Sequence, residues 1–221
     1  MTDALRAVLF DLDGTLVDTE PGVVTSILHA IDSLGLPHPD VDVLRSMLGP
    51  PLHDSFASVF GLAGEKRDAA IKSYRDYYST TGLYDCTAYD GVPAMLQELT
   101  AAGYELLVTT SKAEPFAQRV LEHVGLAGRF RAVHGATLDG AVRTKGQIVT
   151  RALAATGLAG AECLLIGDRE FDVTGAAGCG VATIGVSWGY GTAEELQGAG
   201  AVEVVDSPAG IAAAVGRFAA R

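Results

Sequence analysis

The clearest pattern along the chain is a set of short, uninterrupted apolar runs. Ala7-Val8-Leu9-Phe10 is the first, and it stops at Asp11. Leu106-Leu107-Val108, Cys163-Leu164-Leu165-Ile166, Val181-Ala182-Thr183-Ile184 and Val202-Glu203-Val204-Val205 follow, with a weaker Ala132-Val133. Runs without polar alternation predict strands covered on both faces. Between them the apolar positions switch to helical spacing. Val92, Met95, Leu96 and Leu99 form one stripe, with Gly103 placed to end it. Phe116, Val120, Leu121 and Val124 form a second, closed by Gly125. Thr144 is placed to cap a third helix running through Leu153 to Gly157, and Thr192-Ala193-Glu194-Glu195 reads as a capping box.

Strands alternating with helices predict an α/β fold: a Rossmann-like parallel sheet with helices on both faces. Residues 16–84 break the alternation. No convincing strand occurs there, whereas Val23, Ile27, Leu28, Ile31 and Leu34, then Leu52, Phe56, Val59 and Phe60, then Ile71, Tyr74 and Tyr78 mark three helices. The expected organisation is a core of residues 1–15 and 85–221 with an inserted all-helical cap at 16–84.

Composition narrows the partners. Of 221 residues, 48% are hydrophobic, enough to pack a core. Sixteen Lys and Arg against 27 Asp and Glu leave a net charge of −11. This argues against a nucleic acid polymer or an anionic membrane surface, since both need a basic face. No run is long enough to span a bilayer. The first residues lack the order of a signal peptide, so a cytoplasmic protein is expected. Cys86, Cys163 and Cys179 are too few and too scattered for a disulfide framework or a CxxC site.

Four polar groups sit at or just past strand ends, where open α/β sheets bind ligands. Asp11-Leu12-Asp13-Gly14-Thr15 offers two carboxylates for nucleophilic and proton-transfer work, with Gly14 to turn the chain. Thr109-Thr110-Ser111-Lys112 offers hydroxyls and N–H groups for phosphate oxygens. Lys145 offers a charge at the start of a helix. Gly167-Asp168-Arg169-Glu170-Phe171-Asp172 offers two carboxylates suited to a hard cation such as Mg²⁺. Singly, each reads more readily as a turn, a cap or a solvated charge; together and in this order they point to one site.

Competing patterns fail on detail. Gly185-Val186-Ser187-Trp188-Gly189 matches a nucleophile elbow, but the last histidine is His134, upstream of the serine. Asp11-Leu12-Asp13-Gly14 is no EF-hand, since Leu16 and Gly22 occupy the required Gly and Glu positions. The five histidines lack metal-ligand spacing; His53 is the one placed to approach a substrate. Of the insert's basic residues, Lys66 and Arg67 read as a solvated face and Lys72 as an i, i+4 partner of Asp68. Lys72 and Arg75 are also open to reading an acidic leaving group.

Over essentially its whole length the chain resembles the haloacid dehalogenase-like (HAD) phosphohydrolase superfamily. DxDGT at Asp11–Thr15 carries the match most specifically. Leu48-Gly49-Pro50-Pro51-Leu52, Val108–Lys112 and Gly185–Gly191 resemble its phosphoglycolate phosphatase and bacterial 5′-nucleotidase-like branch, with a helical cap of the first type. The resemblance implies a Mg²⁺-dependent phosphatase acting on a small phosphate monoester. It implies that Asp11 forms an aspartyl-phosphate and that Asp13 protonates the leaving alcohol. Thr110, preferred over Thr109 for its spacing to Pro115-Phe116, would hold the phosphoryl group with the Ser111 N–H and Gly14, while Lys145 neutralises charge. Mg²⁺ would be held by Asp11, the Asp13 carbonyl, Asp168 and, in support, Asp172. The alternatives are a sugar phosphomutase on the same core, or a non-catalytic interaction protein on this fold. The motifs specify no oligomeric state.

Overall fold

All six apolar runs become strands in the computed structural model, which describes residues 4–221. The first three residues of the expected core segment lie outside it. In chain order the strands of the main sheet are β1 (Ala7–Phe10), β4 (Glu105–Ala113), β5 (Ala132–Ala136), β6 (Cys163–Gly167), β7 (Ala182–Val186) and β8 (Glu203–Val205). Their spatial order is β5-β4-β1-β6-β7-β8, with every pairing parallel. The chain steps outward from β1 to β5, then returns to β6 on the other side of β1. This reversal opens a crevice at the carboxyl ends of β1, β4 and β6, the position where such sheets bind ligands.

Both faces of β1 are buried, which explains its unbroken apolar run. Val8 and Phe10 join one apolar cluster with Val92 and Leu96 of α5 (Val92–Ala101), Val120 of α6 (Glu114–His123) and Ile211 of α10 (Ile211–Ala219). Ala7 and Leu9 face the other cluster, with Val149 of α7 (Lys145–Thr156) and Ala176 of α8 (Glu170–Ala177). Each buried large side chain contributes about 1.5–3 kcal/mol relative to exposure.

A helical segment follows the first strand: α1 (Glu20–Ser33), α2 (Val41–Ser46), α3 (Leu52–Phe60) and α4 (Gly64–Thr80). Three of these match the predicted stripes. The short α2 was not anticipated, because it buries only Leu44 and so shows no periodicity. Nor is the segment free of strand. β2 (Val17–Asp18) pairs antiparallel with β3 (Thr87–Ala88), framing the helices in a two-residue ribbon. Two residues are too few to register as a strand pattern; the pairing comes from a partner about seventy positions away in sequence.

Two helices capped by a threonine side chain show how far local chemistry sets a helix end. Thr144 and Gln147 cap α7 reciprocally, and Gly157 closes it at φ 70°. At α9 (Ala193–Ala199), Thr192 accepts from the Glu195 N–H as expected. The reciprocal half of that box is missing, because Glu195 instead accepts from Arg169 Nε and the Glu170 N–H, each at 2.9 Å. Likewise Lys72 pairs with Asp76 at 2.6 Å rather than with Asp68, which lies beside Arg67. Among the described residues no helix is long and apolar enough to cross a membrane.

Candidate active site

Asp11 sits one residue past β1, and its N–H still donates to Ile166 O of β6 at 2.9 Å. The ladder therefore fixes the backbone that carries its carboxylate. The chain then turns at Gly14, which has φ +80°. A Cβ there would lie 2.2 Å from Asp168 Oδ2, so both conformation and space require glycine. The turn separates the two carboxylates. Asp11 stays over the sheet and is 6% exposed. The Asp13 carboxylate accepts from Thr19 Oγ1 at 2.7 Å and pairs with Lys112 Nζ at 3.0 Å.

Lys145, at the first turn of α7, is buried beneath the end of the sheet. Its Nζ donates to Thr109 O at 2.7 Å and lies 2.9 Å from Asp11 Oδ1 and 2.6 Å from Asp172 Oδ1. Those two carboxylate oxygens are at ion-pair distance but make no hydrogen bond of good geometry. Asp168 follows β6 directly. It accepts from Thr15 Oγ1 at 3.0 Å and from the Tyr190 N–H at 2.8 Å. Asp172, a turn into α8, accepts the Arg169 N–H at 3.0 Å.

Asp11, Asp168 and Asp172 can each direct an oxygen to within 4.8 Å of the others. Three buried carboxylates meet one ammonium, leaving two excess negative charges. Burial, reinforced by Asp172 and Asp11, pushes Asp168 well above the usual carboxylate range. Burial also raises Asp172 to about 6, with Asp11 adding to the shift and Lys145 opposing it. For Lys145, burial disfavours the charge, but Asp11 and Asp172 outweigh it and hold the ammonium above its ordinary value. Under-bonded, all-oxygen and net negative, this donor set fits a hard divalent cation such as Mg²⁺.

Above the cluster lies a cavity of about 110 Å³ between the helical segment and the sheet edge. Asp11, Asp13, Thr110, Ser111 and His53 line it. Thr110 faces the cavity, with Oγ1 accepting from the Lys112 N–H at 3.2 Å. Thr109 contributes its carbonyl to Lys145, and its own hydroxyl is buried without a partner. Gly14, Lys145, Asp168 and Asp172 lie behind or below the cavity wall. Lys72 is exposed.

Several residues inside the sequence motifs make contacts that the motifs do not specify. Lys112 is buried against Asp13 and lies over the Tyr78 ring, 4.7 Å from its centroid. The Tyr190 hydroxyl accepts from the Thr19 N–H at 2.8 Å, tying the Gly185–Gly191 loop to the start of α1. A Cβ on Gly189 would lie 2.2 Å from Gly14 O, and one on Gly191 2.0 Å from Asp168 O. The elbow-like loop is thus a close-packed brace for Asp168, and Ser187 is exposed. Arg169 links Glu195 to Leu48 O, the latter at 2.5 Å. The position of Lys112, next to the hydroxyls of Thr109 and Thr110, offered a signal; the other contacts join separate segments, whether 22 positions apart, as for Tyr190 and Asp168, or 171, as for Tyr190 and Thr19.

A family model described as haloacid dehalogenase-like hydrolase matches residues 8–186. A 5′-nucleotidase of Pseudomonas aeruginosa is 39% identical over 190 residues, 86% of each chain. The tyrosine-protein kinase PtkA of Mycobacterium tuberculosis is 41% identical over 189 residues, covering 86% of this chain and 64% of that protein. Among solved structures, one described as a predicted phosphatase from Clostridium acetobutylicum superposes with a TM-score of 0.94. It is 36% identical, and the match covers 97% of this chain and all of that one.

Proposed function

Because this chain belongs to the haloacid dehalogenase-like hydrolase family, we propose that it is a Mg²⁺-dependent phosphatase of small phosphate monoesters. The observation that carries this reading is Asp11 at the cavity floor, beside Lys145 and clustered with Asp168 and Asp172.

In this reading an Asp11 oxygen attacks phosphorus in line with the ester oxygen. The P–O bond to the alcohol breaks, and Asp13 supplies the proton that the departing alkoxide takes up. Water then attacks the aspartyl-phosphate, losing its proton to Asp13, and Asp11 is regenerated with release of phosphate. Lys112 and Thr19 hold the Asp13 carboxyl in place between cavity and helical segment. Thr110, the Ser111 N–H and the turn at Gly14 would receive the phosphoryl oxygens. Lys145 offsets the charge of Asp11 as the phosphate approaches. Mg²⁺ would be held by Asp11, the Asp13 carbonyl and Asp168, with Asp172 in support. It would neutralise the repulsion between substrate phosphate and nucleophile. Residues 16–84 would act as a cap that excludes water, with Arg169 holding it to the core through Leu48 O.

The test is phosphate release from p-nitrophenyl phosphate with Mg²⁺ and with EDTA. EDTA abolishes it, and Asp11→Asn lowers it at least 1,000-fold, on the order of the loss of a covalent nucleophile, while the melting temperature is retained. Wild-type turnover by Asp11→Asn sinks the covalent mechanism. The similarity to PtkA supports a second reading, in which Asp11 passes the phosphoryl group to a hydroxyl rather than to water. Radiolabelled phosphate appearing on an acceptor, with no free phosphate, would select it.

A further inference from the structure

Charge reverses along the cavity. Its inner end holds two carboxylates, Asp11 and Asp13, each matched by a buried lysine. Its outer end is lined by Arg75 of α4, Arg143 of the loop after β5, and His53 of α3, with no carboxylate. Among the described residues neither arginine has an acidic partner within 4 Å.

Arg75 is half-buried, yet its guanidinium makes one hydrogen bond, from Nη1 to Leu138 O at 2.9 Å. The rest of its planar fork remains available. The loop that carries Arg143 folds against His53, where a Cβ on Gly140 would lie 3.8 Å from His53 Cε1. The acid in that loop, Asp139, is turned back on its own turn, accepting from Thr137 Oγ1 and the Ala141 N–H. Arg67 also lies nearby, its guanidinium paired with Asp68 at 3.4 Å and its buried Nε without an acceptor. Burial and the charges of Arg67, Arg75 and Arg143 push the His53 imidazole below its ordinary value, with Asp68 opposing them.

An unmatched, half-buried guanidinium is costly. In a chain of net charge −11, carboxylates to neutralise it are abundant, yet the nearby Asp68 pairs with Arg67 and Asp139 with its own turn. We propose that the outer end of the cavity is a subsite for a second anionic group on the substrate, bound by Arg75 and Arg143 with His53 as a hydrogen-bonding neighbour. The favoured substrates are then phosphate monoesters whose alcohol carries a carboxylate or a second phosphate. This rests on the phosphatase reading for the direction in which the ester lies, phosphorus at Asp11 and leaving group outward. The local positive potential also offsets the repulsion that the whole protein exerts on a multiply charged ligand.

The experiment is calorimetric binding to the Mg²⁺-loaded protein of three phosphonates that cannot be hydrolysed. They are 3-phosphonopropionate, propane-1,3-diylbis(phosphonate) and propylphosphonate, the last without a second charge. At least one charged ligand binds about ten-fold or more tightly than propylphosphonate, as expected of bidentate charge-assisted contacts. The tighter of the two identifies the anion. Arg75→Gln and Arg143→Gln each reduce that preference several-fold. Equal affinities for all three ligands overturn the proposal. So does an equal loss for all three in both variants, which would mean that Arg75 only ties α4 to the Leu138 loop. No turnover is needed, so failure of the subsite and failure of the phosphatase reading are observed separately.

Discussion

Replacing Lys145 by Met keeps the length of the side chain and removes its charge. The ammonium lies 2.9 Å from Asp11 and 2.6 Å from Asp172, and all three groups are buried. At an effective dielectric constant of about 20, each contact is worth about 6 kcal/mol of Coulomb attraction. Desolvation of the ions offsets most of that, so the net loss is set by the carboxylates left without a counter-charge, about 3–5 kcal/mol. In a chain of this size 1 kcal/mol moves the melting temperature by about 2–4 °C. Lys145→Met in EDTA at neutral pH should therefore melt about 6–20 °C below the parent protein by scanning calorimetry. Asp172→Asn in the same chain removes one of the stranded charges. The double variant should melt at or above Lys145→Met, a coupling that independent sites do not show. Phosphate release by the single variant should fall about 100-fold or more, the scale of losing one preorganised electrostatic contact. A Lys145→Met protein melting within 2 °C of the parent, or a double variant whose losses simply add, would refute the account of a lysine holding mutually repelling acids together.

Two further outcomes follow from the same geometry. Gly14→Ala places a methyl group 2.2 Å from Asp168 Oδ2 at φ +80°, strain on the order of 1–3 kcal/mol; calorimetry should show a lower melting temperature and a weaker response to Mg²⁺ than the parent. Asp172, and Asp168 more strongly, have folded pKa values raised above their unfolded ones, with Asp172 at about 6. The stability Asp172 contributes is thus complete below about pH 4 and is lost as pH rises through about 6, and that of Asp168 is lost in the same direction as pH rises. Mg²⁺ competes with protons for the same oxygens, so it should raise the melting temperature more at pH 7.5 than at pH 5.5; an equal shift at both values would count against this cluster as the metal site.

What the sequence determined by itself is the part of the molecule specified by neighbours along the chain. Strands buried on both faces announce themselves as unbroken apolar runs, and α7 is bounded by Thr144 and Gly157, each acting within one helical turn. The same holds for Asp11, Asp13, Lys145, Asp168 and Asp172: each sits at a strand end or in the first turn of a helix, so the alternation that locates the elements also locates them. Tertiary structure alone decided which charges meet. The Asp13 carboxylate turns to Lys112 and Thr19, Glu195 leaves its expected cap for Arg169, and Lys72 chooses Asp76 over Asp68. Tyr190 braces Asp168 and Thr19, and the outer cavity draws Arg75, Arg143 and His53 from three separate segments. A side chain's local spacing sets where its Cα lies, but its ionic partner is chosen by which distant element packs against it. In a site built from one sheet edge and an inserted set of helices, that choice exists only once the chain has folded.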